Sequence, residues 1–373
     1  MLPYWVLFLV PAGMALLPVK FDKNINNILW AMACLHGILM IGLRYQVGGD
    51  WDPYLVFLDS ARGVDLSIDY LLDASYGNAT GYVLLNWAVS QLGLGAEGIY
   101  VVNTFCGTIF MVGLVKYCRK QPIPWVALAV AIPYLVTAVS MGYSRQAVAL
   151  GFFLWGLSIL REGNELKYFA LLILGSFFHL SVLIMLPLML FARDKVQWWF
   201  YPFIGGFFVT IGYMFFSIIT PQFGNLVENY SIILDYTATR YSAGAEIRTY
   251  LNATPVLFAL FFWKRIKKIS TDHKIIKWMS IASLIAIPAM SVGATLIDRL
   301  GLYLMPLQVA LWPRIIAVQR NQMDRAMWLA MVIVFYAIVL YVWLNFAIHA
   351  YAWLPYRFFP ISNEPIYPFP ENM

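Results

Sequence analysis

Charge is scarce in this chain: of its 373 residues only 12% are Asp, Glu, Lys or Arg, while 61% are hydrophobic and 17% aromatic. With a mean hydropathy of +0.71, that scarcity excludes an ordinary soluble domain, whose charged share is about 25%. Cysteine is rare too. Cys34, Cys106 and Cys118 lie inside or at the ends of apolar runs without CxxC spacing, which argues against both a disulfide framework and a zinc site. No P-loop, GxSxG, HExxH or strand-to-helix GxGxxG occurs, so the common soluble-enzyme signatures are missing. The net charge of +6 comes with no basic stripe or RNA-binding pattern, so a basic pI carries no indication of a nucleic-acid partner.

What the chain has is long apolar runs. A span across about 30 Å of hydrocarbon needs roughly 20 residues, and such runs lie near 2–19, 27–43, 98–116, 123–141, 145–161, 197–217, 249–263, 275–297, 299–319 and 326–347. The fold class expected is therefore an all-α polytopic membrane protein with about ten full transmembrane helices, forming one integral domain over 1–373. The first run lacks a basic n-region and an A-x-A site and reads as a retained helix, not a cleaved signal peptide.

One further run, 167–191, decides the topology. If it crosses once, Lys264, Arg265, Lys267, Lys268, Lys274 and Lys277 fall outside together with Arg314, Arg320 and Arg325, against the positive-inside rule. If it turns back at Phe178-His179-Leu180-Ser181, every strongly basic connection falls inside. A broken helical hairpin at 167–191 is the expectation, since irregular backbone is tolerated at membrane depth when protein or a water-filled cavity surrounds it. Loops 44–97 and 218–248 and a proline-rich tail from about 349 then face out. The first loop should carry an amphipathic helix at 81–92 lying on the surface, and the tail should be an extended strap.

This arrangement sorts the bases. All eleven lysines and seven arginines lie on the inner side, and the remaining seven bases, Arg44, Arg62, Arg145, Arg240, Arg248, Arg299 and Arg357, are all arginine. Bases placed against the orientation rule need a reason, and the planar guanidinium fork is suited to gripping phosphate at two points. An outward-facing site for a phosphate-bearing substrate follows as the first expectation.

Candidate residues cluster on that side. Arg44 opens the stretch Arg44-Tyr45-Gln46-Val47-Gly48-Gly49-Asp50, in which the glycine pair allows a tight turn that presents Asp50 as a general base; a solvated acidic loop is the plainer alternative. Arg145, in a short turn between apolar helices, needs an anionic partner at the interface or else snorkels to headgroups. His179 sits at the inferred break, where membrane proteins build ligand sites, although a lone histidine is also at home in a core. Its pKa suits it to accept a proton or to donate to a phosphate oxygen. Asp298 and Arg299 either neutralise each other or leave Arg299 to act with Tyr303, four residues on, as a phosphate or sugar clamp. The external acids lack metal-site pairing, so the expectation is no metal and no cofactor, with arginines supplying the positive charge.

Arg44 with Val47-Gly48-x-Asp50 and Tyr54, Gly81-Tyr82-x-x-Leu85-Asn86, Ser144-Arg145-Gln146, Phe178-His179-x-Ser181, Arg299 with Tyr303, and Trp353-x-Pro355-Tyr356-Arg357 together resemble the EpsG family, Wzy-type polymerases of bacterial exopolysaccharide. The resemblance runs from about Arg44 to Arg357. The approach to Gly81, Ser75-Tyr76-Gly77-Asn78-Ala79-Thr80, departs from the more acidic or proline-containing one expected.

The resemblance implies a GT-C-like glycosyltransferase in the bacterial inner membrane that joins undecaprenyl-diphosphate-linked oligosaccharide repeats on the outer face. It implies Asp50 and His179 as catalytic residues, Arg44, Arg145 and Arg299 on the diphosphate, and Tyr54, Gln146, Ser181, Tyr303, Tyr356 and Arg357 on the rest of the substrate. The lipid bilayer is a partner, and a chain-length regulator and a flippase are the protein partners it brings into view. Two rivals stand beside it. A lipid-linked-oligosaccharide flippase or sugar transporter would spread ionisable residues through its spans, and a ligase or single-sugar transferase using the same carrier would share every feature above.

Overall fold

The computed structural model describes residues 1–19, 21–75, 79–160, 162–192 and 243–362. Among them the chain is helical throughout, with no β-strand and one isolated antiparallel bridge between Arg44 and Phe358. Three helices are long and apolar enough to cross a membrane, within Lys23–Gly42, Gly95–Arg119 and Gln322–Phe346, and five shorter apolar helical stretches accompany them. The chain is thus a multi-pass membrane protein. The expected span 197–217, loop residues 218–242 with Arg240, and Pro365, Pro368 and Pro370 lie outside the described residues.

In chain order, α1 (Leu2–Leu16) and α2 (Lys23–Gly42) are joined by a turn in which Asp22 accepts from the N–H groups of Asn24 and Ile25, satisfying donors the start of α2 would leave unpaired. The loop that follows holds three helices, not one: α3 (Trp51–Ser60), α4 (Ile68–Ser75) and α5 (Thr80–Ser90). The helix expected at 81–92 is α5, and one of its faces is covered by the loop itself. It buries Tyr82, Val83, Asn86 and Val89, and Tyr82 packs against Tyr54 and Phe57 of α3. The loop therefore has a core of its own, which also takes in Trp51, Leu58, Ile99 and Tyr100.

Helix α6 (Gly98–Arg119) packs on α8 (Ser144–Leu160) at two facing glycines. A Cβ on Gly151 would stand 2.6 Å from the Phe110 Cα, so the backbones touch in the manner of small-residue contacts between membrane helices. Between these helices, α7 (Pro124–Ala131) runs into a π-helical stretch, Ile132–Ser140, and then the short turn at 141–143. The wider i→i+5 pitch is a rare form that recurs at functional sites.

The run expected to turn back does so. Helix α9 (Glu165–Ser176) ends at Phe177 and Phe178, His179 is extended (φ −157°, ψ 111°), and a 3-10 stretch, Leu180–Phe191, leads away. The tip meets the loop core, where the Gly81 N–H donates to the Phe177 carbonyl at 2.8 Å. The other end lies far off: Phe191 stacks on Trp278, near the start of the helix His273–Gly301. Beyond, α10 (Ala243–Ile269), α11 (His273–Gly301), a 3-10 turn at Leu302–Leu304, α12 (Pro306–Ala317) and α13 (Gln322–Phe346) complete the bundle.

The two ends of the bundle differ. One gathers the loop core, the 141–143 turn, the tip at 177–179, Tyr303 and the tail. At the other, Arg314 of α12, 1% exposed, donates to both carboxylate oxygens of Asp272 at 2.9 Å, to Ser270 and to Gln121, tying the α10–α11 and α6–α7 connections to α12. The tail is a strap interrupted by two 3-10 turns, Ala350–Ala352 and Phe359–Ile361. It is held by its Trp353 indole, which donates to the Thr137 carbonyl of the π-helical stretch at 2.8 Å.

The crossing of α6 and α8 gives a direct test of the packing. Gly151→Val forces side chain into backbone and should cost about 1–3 kcal/mol, the usual range for overpacking, whereas Gly13→Ala, with no atom within 4 Å of the added carbon, should be neutral or mildly stabilising. Thermal melting of both variants in detergent checks the pair; equal melting temperatures would mean the helices part without loss.

Candidate functional site

The site end is organised by three consecutive residues, Ser144, Arg145 and Gln146, the first turn of α8. Successive helical positions point about 100° apart, so each side chain reaches a different neighbour.

Ser144 reaches Arg44. That guanidinium is buried, 1% exposed, and donates to the Val47 carbonyl at 2.9 Å, to the Ile41 carbonyl, to Ser144 Oγ at 3.0 Å and to Asn103 Oδ1 at 3.3 Å. All its partners are neutral, and no carboxylate pairs with it among the described residues. Burial pulls its pKa below the ordinary arginine value, yet a guanidinium in a protein stays protonated. The result is a cation fixed under the site with its charge uncompensated. Because its nitrogens are all engaged, Arg44 in this conformation shapes the floor instead of reaching upward.

The loop above Arg44 closes through Gly48. Its φ of +109° suits glycine, and a Cβ there would collide with the Met141 carbonyl oxygen. The Gly48 N–H donates to the Ala352 carbonyl of the tail at 2.8 Å, Tyr45 N–H to the Arg357 carbonyl at 3.0 Å, and Phe359 N–H to the Leu43 carbonyl at 2.9 Å. Tyr356 gives its hydroxyl to the Met40 carbonyl at 2.9 Å, and Arg357 donates to Gln46 at 3.1 Å above the Tyr45 ring. Both tail residues therefore hold the strap onto the loop.

Arg145 lies beside Asp50 and Tyr54. Asp50 is half-buried at the start of α3, its Oδ2 accepts from the Tyr54 hydroxyl at 3.4 Å, and that hydroxyl is also hydrogen-bonded to the Arg145 backbone. Burial first, and the Asp50 charge second, push the Tyr54 phenol above its ordinary range, so it stays a hydroxyl at neutral pH. The Arg145 guanidinium rests over the Phe57 ring, 5.2 Å from its centroid, and forms no ion pair among the described residues. With no acid in the first turn of α8, the helix dipole adds to the positive field there.

Gln146 reaches the third group. Its side chain is hydrogen-bonded to the Tyr303 hydroxyl, which meets Ser181 Oγ at 3.0 Å, and Ser181 Oγ meets His179 Nδ1 at 2.6 Å. Four residues expected separately from the sequence, Gln146, His179, Ser181 and Tyr303, thus form one chain of hydrogen bonds.

The remaining arginines of the set expected outside fall into place differently. Arg62 pairs with Asp59 at 2.9 Å, and Arg248 pairs with Asp298 and lies over the Tyr134 ring. Asp298 is therefore the partner of Arg248 across two helices. Arg299 is carried on the last turn of α11, and its side chain lies outside the described residues. Asn103 was missed from the sequence. A polar residue inside the 98–116 apolar run was the available signal, and its carboxamide is what gathers Arg44 and Ser144.

An all-helical multi-pass membrane protein with arginines gathered at one end of its bundle is the class these observations define. A family model described as the EpsG family matches residues 27–358, and the chain belongs to that family, an exopolysaccharide, Wzy-like polymerase family. No curated protein and no solved structure matches the chain.

The Arg44 cage predicts its own cost. Ser144→Ala removes the 3.0 Å bond and leaves Nη2 only the longer one to Asn103, so stability should fall by about 1–3 kcal/mol, as when one partner of a buried polar group is deleted. Melting in detergent reads it; an unchanged melting temperature would mean that water or a neighbour replaces the hydroxyl at no cost.

Proposed function

We propose that this protein polymerises lipid-diphosphate-linked oligosaccharide repeats at the outer face of the bacterial cytoplasmic membrane, as a glycosyltransferase of GT-C-like architecture. The observation that carries the reading is the pair Arg44, just after α2, and Arg145, at the start of α8, two cations that form no ion pair with a carboxylate among the described residues. A buried or interfacial charge is costly unless neutralised, and a diphosphate brings the missing negative charge.

In this reading the donor is a glycan held through diphosphate to an undecaprenyl carrier, and the acceptor is a hydroxyl of the incoming lipid-linked repeat. The hydroxyl oxygen attacks the anomeric carbon, its proton passes to the Asp50 carboxylate, and the bond from that carbon to the diphosphate oxygen breaks with both electrons leaving on the oxygen. Arg145 and Arg299 stabilise the departing charge as it develops, with Arg44 contributing its field from below. Tyr54 orients Asp50, while His179 donates to the diphosphate. Tyr356 and Arg357 position the strap that borders the substrate. Arginines supply the charge neutralisation that a metal ion would otherwise bring, so the step is metal-independent.

The transporter reading is disfavoured by where charge is buried. Among the described residues, the buried charged side chains Arg44, Glu165, Arg248, Asp272 and Arg314 all sit at helix ends or in connections, with no ladder between them for a ligand to follow. Ligase and polymerase differ in product. Purified protein incubated with a defined lipid-diphosphate oligosaccharide should give a ladder of repeats on a gel; a single added unit would indicate a ligase, and none would sink the reading.

The residue assignments are tested at matched protein levels. Arg145→Lys and Arg299→Lys keep charge but lose the fork and should both be severely impaired. Asp50→Asn should bind the lipid-linked substrate yet lose transfer by ~10²-fold or more, the scale of general-base loss, with His179→Gln milder. Normal polymer from Asp50→Asn together with a dead His179→Gln would reverse the two roles.

Orientation follows from the inner basic connections. Lys268→Cys, at the end where Arg314 holds the connections together, should resist an impermeant thiol reagent added to intact cells, and a cysteine in the 44–97 loop should react. Strong external labelling at position 268 would invert the proposal.

A further inference from the structure

Polar side chains of α10 meet the last turn of α11 at two successive levels. Arg248 pairs with Asp298, and one helical turn further along α10, Asn252 donates to the Gly301 carbonyl at 2.9 Å. Residues at i and i+4 share a helix face, and their partners stand at i and i+3 on α11, so the two contacts bracket position 299. Resting on the reading above, we infer that Asn252, with Arg248, is a positioning residue for Arg299: from α10 the pair clamps the end of α11 on either side of the arginine assigned to the departing diphosphate.

Asn252 is itself held from behind. Its side-chain oxygen accepts from Gln308 Nε2 at 2.6 Å, Gln308 Oε1 accepts from the Tyr336 hydroxyl at 2.6 Å, and that hydroxyl accepts from the Trp312 indole at 3.0 Å. Both ends of this chain are fixed by chemistry, because an indole N–H only donates and a peptide carbonyl only accepts. The Asn252 nitrogen must therefore face Gly301, its oxygen must face Gln308, and the Gln308 oxygen must face Tyr336. Every link then has one donor and one acceptor. The four side chains are no more than 3% exposed, and in such surroundings a fully linked polar chain is rigid, while a broken one leaves buried groups unpaired. Through it α12 and α13 stand behind the contact that Asn252 makes on α11.

The place where the chain ends gives it its use. Gly301 is the residue at which α11 passes into the 3-10 turn Leu302–Leu304, and helix ends fray. Two residues on, the Tyr303 hydroxyl lies 3.0 Å from Ser181 Oγ, so this junction borders the site. A group that meets charge as it develops must be held to about 0.5 Å by supporting residues. Bulk packing alone would be served by apolar side chains at 252 and 308; a directed chain of hydrogen bonds instead fixes one carbonyl, and with it the backbone that carries Arg299.

Two measurements on the full chain in lipid nanodiscs test this. Amide hydrogen exchange over 298–305 reads the clamp, and calorimetric binding of inorganic diphosphate, a mimic of the leaving group, reads its use. Asn252→Leu should raise exchange in that stretch several-fold, leave the Arg314 end unchanged, and weaken diphosphate binding several-fold. In an Arg299→Lys background the same substitution should cost no further affinity, because residues that act as one unit are not additive. Gln308→Met, which strips the amide behind Asn252 and keeps the bond to Gly301, should act in the same direction to a smaller extent and carries the test if Asn252→Leu does not fold. Unchanged exchange over 298–305, or a loss of affinity that adds in full to that of Arg299→Lys, overturns the inference. Diphosphate binding that is absent in wild type or untouched by Arg299→Lys sinks the reading of Arg299 and its positioning role with it, whereas normal exchange in a chain whose Arg299→Lys variant is impaired condemns only this inference.

Discussion

A buried arginine surrounded by neutral oxygen is the constraint on which this end of the molecule depends. Arg44 takes the carbonyls of Ile41 and Val47 and the side chains of Asn103 and Ser144, and in doing so joins the end of α2, the loop, α6 and α8 at one point. A guanidinium out of water must have its donors filled. The loop from 43 to 50 consequently adopts the path that brings its carbonyls to Arg44, Gln46 and Gly48 take the two positive φ angles on that path, and the tail pairs with the edge so formed. Asp50 and Tyr54 stand where they do because Arg44 has placed the residues before them.

From that point the first turn of α8 distributes the chemistry. One helical turn serves the buried cation through Ser144, the acid through Arg145 and the histidine chain through Gln146, so a displacement of this helix end would disturb all three together. The close α6–α8 crossing at glycines and the π-helical stretch before the 141–143 turn hold that end in place from two sides. The released Thr137 carbonyl accepts from Trp353, which makes the tail part of the same support.

Much of this was legible in the sequence, and the parts that were not share a cause. The break in the run 167–191 could be read because an ionisable residue, His179, interrupts it where α9 ends. The apolar runs gave the helices because period and length are local. The loop core was not legible: α3 and α4 are short, and α3 is held by Tyr54 meeting Tyr82 and Trp51 meeting Tyr100 on later helices, which no local pattern records. The partner of Asp298 was equally hidden. Arg248 sits on α10, and only the packing of α10 beside α11 brings the two together. Gln146, Ser181 and Tyr303 could each be named from short motifs, while the bond order linking them to His179 is purely a product of folding.

The contrast between the two most deeply buried arginines separates structural from functional charge. Arg314 and Arg44 are each 1% exposed, one at either end of the bundle. Asp272 neutralises Arg314 with both oxygens, and that cluster has the character of a rivet between α12 and two connections. Arg44 has the hydrogen bonds of a rivet without the counter-charge. Retaining an uncompensated cation lowers stability in the empty protein, since a Coulomb term that an aspartate could have supplied is forgone. In the proposed reaction the same deficit would become binding energy when a dianionic group arrives, and more of it for the more negative leaving diphosphate than for the esterified one in the donor, which is the sense in which such a site would favour departure over binding.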